Sequence, residues 1–526
     1  MTPKWRARAT AVLSAGAAIL LASMVPLPAG ASSFVSISGS GSSWAAVAID
    51  QWAQDVRSNG IVVNYNPDGS AAGRGDYMAN QDDFAGSDPP FRNGQDQLGG
   101  TGAENPSQGY SYIPDTAGGT AFIYHITVAG KLITNLRLDP KTIFDIFTGA
   151  ITNWDDPRIT KIYGAKLPNL PITPVIRSDG SGATYFFTLW MSSLFPGPWN
   201  AFCGRVHQGI RSPCGQTEFY PQFGSAKAEN GSNNVITYIT SSFGNGSIGY
   251  DEYAYALNAH FPVVQVLNPA HYFVGPTPQN VAVALTKAVI NPNQSSPNYL
   301  QQNLNALYNF KDPRNYPISS YSYLIVPRTS SKPEPTNFTN AKGATLSTWI
   351  NFMLCAGQQQ MRQLGYSPLP KNLVQGGLIQ NGKIPGHVNV PSINALTHCN
   401  NPTMQNGRNI LLATAPFPSP CQKQGAPLNC VVKNGKAVAA GSSASSAGAQ
   451  ATSSASAGTT GTGTSTGTGT TTGATGPVTG VVVNLAGDHS NQAALGALTA
   501  FGIILAVALP PGLAAWLRRR RGQARG

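Results

Sequence analysis

"RSDGSGATYFFTLW", residues 177–190, sets an arginine, an aspartate and a Gly-Ser-Gly turn directly before an aromatic-rich run. Apolar side chains recur at helical spacing from Ala183 to Leu194, which places Gly180, Ser181 and Gly182 at a helix start. The first amides of a helix lack intrahelical acceptors, and the helix dipole adds partial positive charge there. Those amides, a serine hydroxyl and the Arg177 guanidinium together read as an anion site.

Three other stretches repeat or complete the pattern. "GSGSSWAAVAIDQWAQDV" from Gly39 is a glycine/serine turn leading into an amphipathic helix, and "VNYNPDGSAAGRGDYM" is a strand, a second such turn and a helix. "DDFAGSDPPF" offers Asp88 on a turn ahead of two prolines. Short β-rich runs (IVVNY, AFIYHITVA, YLIVP) alternate with helical ones such as 44–57 and 141–147, and no period of 20–50 residues is present. Alternation of that kind predicts an α/β fold over residues 32–385.

The net charge of +12 suggests a nucleic-acid partner until it is located. Eight of the 34 basic residues lie in the acid-free terminal segments, leaving 26 against 22 acids elsewhere, so no nucleic-acid partner is expected. Residues 1–31 combine a basic start, an apolar run and Ala29-Gly30-Ala31, which reads as a secretory signal peptide. Residues 491–517 read as a transmembrane helix ahead of a basic cytoplasmic tail, 518–526. Between them, 386–435 is a Cys/Pro-rich extension and 436–490 a disordered Ser/Thr/Gly-rich linker. The expected location is the outer face of the cell membrane.

Six cysteines suit an oxidising exterior, and fifteen pairings exist. Sequence proximity favours Cys203–Cys214 and Cys421–Cys430, leaving Cys355 with Cys399. A zinc site from Cys203, His207 and Cys214 is the competing reading of the first pair. Otherwise no histidines are spaced as metal ligands, and neither metal nor cofactor is expected.

The ordered set of stretches resembles the substrate-binding protein of the bacterial high-affinity phosphate ABC transporter. "TIFDIFTGAITNWDDPRI", "GSIGYDEYAYA" and "YPISSYSYLIVPR" add to the resemblance, which runs from about Phe34 to residue 385. It implies a two-lobed periplasmic-binding-protein (type II) fold that closes over phosphate, with a permease and ATPase complex as partner. It also implies donors from Ser43, the Trp44 amide and Ser70 on one lobe, and from Arg177, Ser181, Gly182 and the Ala183 amide on the other. Asp179 is expected to orient Arg177.

Asp88 matches the family's carboxylate, and chemistry supplies its role. Phosphate near neutral pH keeps a proton and sulfate does not. An ionised carboxylate only accepts hydrogen bonds, so it favours the protonated anion and repels the other. This chain departs from the family at Ala71 and Ala183, where a hydroxyl is usual; Thr184 stands next to the second. Asp68 and Arg74 read as a charged pair beside the cleft. A catalytic reading would make Ser181 a nucleophile, but G-x-S-x-G is absent and no histidine is identifiable as its base, so no enzyme is expected. The remaining alternative is an anchored surface protein that keeps the fold for adhesion or sensing.

Overall fold

A computed structural model describes residues 34–440 except 95, 97, 99–101, 208–211, 392–395, 397–398 and 405–407. The signal peptide, most of the linker, the transmembrane helix and the basic tail expected from the sequence lie outside the described residues. Among the described residues, no helix is long and apolar enough to cross a membrane.

Eight strands carry the fold: β1 (Ile37–Gly41), β2 (Val63–Asn66), β3 (Phe84–Ser87), β4 (Tyr110–Tyr124), β5 (Thr173–Arg177), β6 (Lys227–Glu229), β7 (Ser247–Glu252) and β8 (Ser319–Pro327). They form one sheet in the order β2-β1-β3-β8-β4-β7-β5-β6. β1, β2 and β3 are mutually parallel, as are β7, β5 and β6, so each end of the sheet is built from crossover units. The long strand β4 joins these ends. It pairs antiparallel with β8 from Tyr110 to Gly119 and with β7 from Thr120 to Tyr124. The chain thus passes between two lobes at Gly119–Thr120 and returns at Ile318–Ser319, where the Thr120 amide donates to the Ile318 carbonyl at 2.9 Å.

The helices used below are α1 (Ala46–Val56), α2 (Ser70–Met78), α3 (Pro140–Phe147), α4 (Gly182–Leu194), α5 (Gly231–Thr240) and α6 (Asn340–Leu354). α1 buries Ala48, Ile49, Trp52 and Val56, a stripe at i, i+1, i+4 and i+8. Asp139 caps α3 by accepting the Thr142 amide at 2.7 Å, and Pro140 occupies its first turn, where no amide is needed. In α4 the aromatics are core residues: Phe187 and Trp190 are buried and pack against Phe122.

The two cysteine pairs favoured by proximity, Cys203–Cys214 and Cys421–Cys430, are bridged, and so is the remaining pair, Cys355–Cys399. The first bridge displaces the zinc reading. Beyond residue 435 the fold continues, because Lys436–Ala439 pairs with Cys430–Lys433 as a hairpin. The boundary expected between extension and linker therefore falls inside this hairpin, in which Val431 faces Val438 and Val432 faces Ala437.

Candidate functional site

Three of the glycine/serine turns meet across the line between the lobes. β1 ends at Gly41, and Ser42, Ser43 and Trp44 lead into α1. Gly69 precedes α2 with φ +110°, a conformation that a side chain resists, and a Cβ there would lie 2.6 Å from Asp179 Oδ2. From the second lobe, Ser181 is the N-cap of α4, its Oγ accepting the Thr184 amide at 3.4 Å. The Ala71 amide donates to the Gly180 carbonyl at 3.0 Å, so the starts of α2 and α4 touch directly. A Cβ on Gly180 would come within 2.3 Å of Ala71 Cβ, which explains small residues at both positions.

Arg177, at the end of β5, is buried. Its Nε donates to Asp179 Oδ1 at 2.8 Å and its Nη2 to Asp179 Oδ2, a two-point contact that fixes the guanidinium plane. The other contacts of the guanidinium are Ser232 Oγ at 3.1 Å from Nη1 and Ser43 Oγ, across the lobes, at 2.8 Å from Nη2. Asp251 Oδ2 is 3.6 Å from Nη1, and Ser232 donates to Asp251 Oδ1 at 2.8 Å. Despite burial, the nearby carboxylates of Asp179 and Asp251 hold the Arg177 pKa above its usual value.

Asp88 sits opposite, after β3, and is also buried. Its Oδ1 accepts from Ser42 and Ser322, each at 2.7 Å, and its Oδ2 from Ser70 at 3.3 Å. Burial pushes its pKa up to about 6, while the hydroxyls of Ser322, Ser42 and Ser70 and the charge of Arg177 pull the other way. Asp88 Oδ2 points across the lobes at the start of α4: a Cβ on Gly182 would lie 1.9 Å from it.

The arrangement thus gathers Ser43, Ser70, Asp88, Arg177, Ser181 and Gly182 at one place, with Ala183 buried in the first turn of α4. Trp44 packs its ring edge-on against Tyr366 with centroids 5.8 Å apart, and its carbonyl accepts from the Tyr366 hydroxyl at 2.6 Å. Two of the departures noted in the sequence are resolved here. Thr184 does not stand in for the hydroxyl missing at Ala183, because its Oγ1 is hydrogen-bonded to the Tyr250 hydroxyl at 2.7 Å inside the second lobe. Arg74 does not pair with Asp68. It contacts Glu104 and, across the lobes, Glu218, each at 2.7 Å, so two carboxylates share the charge of one buried guanidinium. Asp68 instead accepts from Asn66 Nδ2 at 2.9 Å.

Sequence reasoning passed over Ser42, Ser232, Asp251 and Ser322. Ser232 follows Gly231 at the start of α5, a fourth glycine/serine helix start that the same rule finds. Asp251 and Ser322 stand inside "GSIGYDEYAYA" and "YPISSYSYLIVPR", whose strand positions alone do not say which face is turned to the site. Among the described residues, no group of three or more His, Cys, Asp or Glu side chains could hold a metal ion.

Residues 28–356, more than half of the chain, match the PBP superfamily domain. The chain belongs to the PBP superfamily. Its curated relatives include phosphate-binding protein PstS 2 of Mycobacterium tuberculosis, 28% identical over 319 residues, covering 60% of this chain and 77% of that protein. Phosphate-binding protein PstS of Xylella fastidiosa is 29% identical over 345 residues, covering 65% and 83%. Phosphate-binding protein PstS of Methanocaldococcus jannaschii is 27% identical over 357 residues, covering 66% and 85%. Among solved structures, the ancestral soluble variant of the human phosphate binding protein aligns with TM-score 0.50 and 17% identity, over 71% of this chain and 99% of that one. That likeness bears on the fold alone.

Proposed function

We propose that this PBP-superfamily chain captures inorganic phosphate outside the cytoplasm and hands it to the permease and ATPase complex of an ABC transporter. The relatives named above are phosphate-binding proteins, and the motifs at the site resemble those of the phosphate-transporter binding proteins. Ser43, the Trp44 amide and Ser70 donate to the anion from the first lobe. Arg177, Ser181 and the amides of Gly182 and Ala183 donate from the second. Asp179 holds the guanidinium in plane. No bond is made or broken, so the task is recognition and release rather than catalysis.

One observation carries the reading. Asp88 Oδ2, a buried acceptor, is aimed among helix-start donors and an arginine. Such a mixed set fits a tetrahedral anion that keeps a proton, and an anion without one meets acceptor against acceptor. Because the donors come from both lobes, ligand binding favours the closed arrangement, and closure presents the loaded protein to its membrane partner.

Uptake of labelled phosphate by starved cells lacking the chain tests this function. The account expects slower uptake, restored by the full chain and not by one carrying Arg177→Ala. Undiminished uptake without the chain contradicts it.

A further inference from the structure

Asp88 Oδ1 and Oδ2 have different surroundings. Oδ1 receives two short hydrogen bonds, from Ser42 on the turn before α1 and from Ser322 on β8. The Ser42 hydroxyl oxygen also accepts the Ala45 amide at 3.1 Å, which fixes its rotor with the proton on the carboxylate. Ser322 lies where the β8–β4 register shifts, between Tyr321 and Tyr323, an irregularity of the kind that re-aims a side chain. Oδ2 receives only the longer contact from Ser70 and faces Gly182.

We propose that Ser42 and Ser322 are the residues that set anion selectivity: by donating together to Oδ1 they keep Asp88 an ionised acceptor whose Oδ2 meets the ligand's proton. The proposal rests on the phosphate reading and adds to it two residues outside the expected ligand set. The groups around Asp88 make such help necessary. Arg177 faces it from the second lobe and favours its charge. The buried carboxyls of Asp115 on β4 and Glu252 on β7, and the Tyr65 phenol on β2, feel Asp88 as a like charge. Burial opposes the charge on Asp88 while Arg177 and the hydroxyls favour it, so the two donors to Oδ1 tip the balance toward the carboxylate. Once Asp88 is protonated, its O–H donates, and a fully deprotonated anion such as sulfate is tolerated.

The experiment measures phosphate and sulfate affinities from pH 5 to 8 for the full chain in detergent and for Ser42→Ala, Ser322→Ala and Ser322→Thr. In the parent, preference for phosphate should collapse on acidification with a midpoint near 6. Loss of either hydroxyl should move that midpoint upward by about one to two pH units, and threonine should restore it. A merely structural role would weaken both anions alike and leave the midpoint in place, which overturns the proposal. If the parent itself does not bind phosphate, the functional reading fails rather than this one.

A separate observation concerns the extension. It begins on the first lobe, where Cys399 is bridged to Cys355 after α6 and Thr403 Oγ1 donates to the Leu369 carbonyl at 2.8 Å. It ends on the second, where the Gln424 amide donates to the His271 carbonyl at 2.9 Å and Arg137 Nη2 to the Ala426 carbonyl at 2.7 Å. In between, Leu411 is buried, and the Arg314 guanidinium lies 4.3 Å from the centre of the Phe417 ring. Asn409 and Leu412 line a cavity with Ala117 and Tyr321, whose side chains alternate with Gly118 and Ser320. The described residues of the extension therefore pack behind the strands that join the lobes.

We infer that the extension is a splint that favours the closed arrangement against which it is packed. Spin labels at Ser58→Cys and Asn233→Cys, exposed positions on the two lobes, report the distance between them in the full chain. Thr403→Val with Phe417→Ala should lengthen and broaden the phosphate-free distances and weaken phosphate binding about tenfold, while leaving the phosphate-saturated distance unchanged. Unaltered distances and affinity would overturn it.

Discussion

Arg74 is a fully buried charge, and its removal should be correspondingly costly. Its buried guanidinium donates through Nε and Nη2 to Glu104, through Nη1 to Ser87 and through Nη2 to Glu218 of the other lobe. Glu104 keeps a second cation, Arg92, at 3.1 Å, whereas the ion pair of Glu218 is with Arg74. Burial already raises the Glu218 pKa despite that pair. Arg74→Met should therefore strand a buried carboxylate, at a cost of about 3–5 kcal/mol. Glu218→Gln should cost less, about 1–2 kcal/mol, because a charged hydrogen bond becomes a neutral one. Adding Glu218→Gln to Arg74→Met removes the stranded charge, so the double variant should recover at least about 2 kcal/mol of the summed losses. Urea unfolding of the four proteins at pH 7 measures this coupling. The single Arg74→Met loss should also shrink as pH falls, because the buried Glu218 carboxyl, whose pKa burial already raises, takes up a proton more readily once its guanidinium partner is gone. Losses that add within about 0.5 kcal/mol would refute the reasoning.

Two more outcomes follow from the same contacts. Gly182→Ala puts a Cβ 1.9 Å from Asp88 Oδ2, so the lobes cannot close fully; phosphate affinity should fall about 10- to 100-fold while the melting temperature hardly changes. Melting with equally tight binding would deny that close approach. Burial pushes Asp68 and Asp88 up to about 6 and also raises Asp115, Glu218, Asp251 and Glu252. The folded chain then holds more protons than the unfolded one above about pH 4, and stability falls as pH rises through that window. Glu104, whose pKa is lowered, contributes with the opposite sign. In phosphate-free buffer the melting temperature should be higher at pH 5 than at pH 8, and a rise toward pH 8 would contradict the assignment.

Much of this was legible in the sequence because local rules determine it. A Gly-Ser-Gly ahead of a helix pattern marks the start of α4, and Arg177 and Asp179, two residues apart, reach each other from the end of one strand. What the sequence left open depends on distant packing. Nothing near Arg74 names Glu218, 144 positions away, and Asp68 is the nearer and wrong partner. Ser322 is 234 positions from Asp88, and only the sheet order brings β8 beside β3. Thr184 looks available next to Ala183, yet the helix turn directs it to Tyr250. In the extension, prolines and cysteines conceal a hairpin whose register exists only once its strands pair.

The central claim is that the site selects a tetrahedral anion that retains a proton. Calorimetric titration of the full chain in detergent at pH 7.5, with phosphate and then with sulfate, tests it most directly. The account predicts saturable one-to-one binding of phosphate and sulfate binding at least about 100-fold weaker, because a buried acceptor left facing another acceptor loses a charged hydrogen bond and adds repulsion. Equal affinity for the two anions, or no phosphate binding, would contradict it.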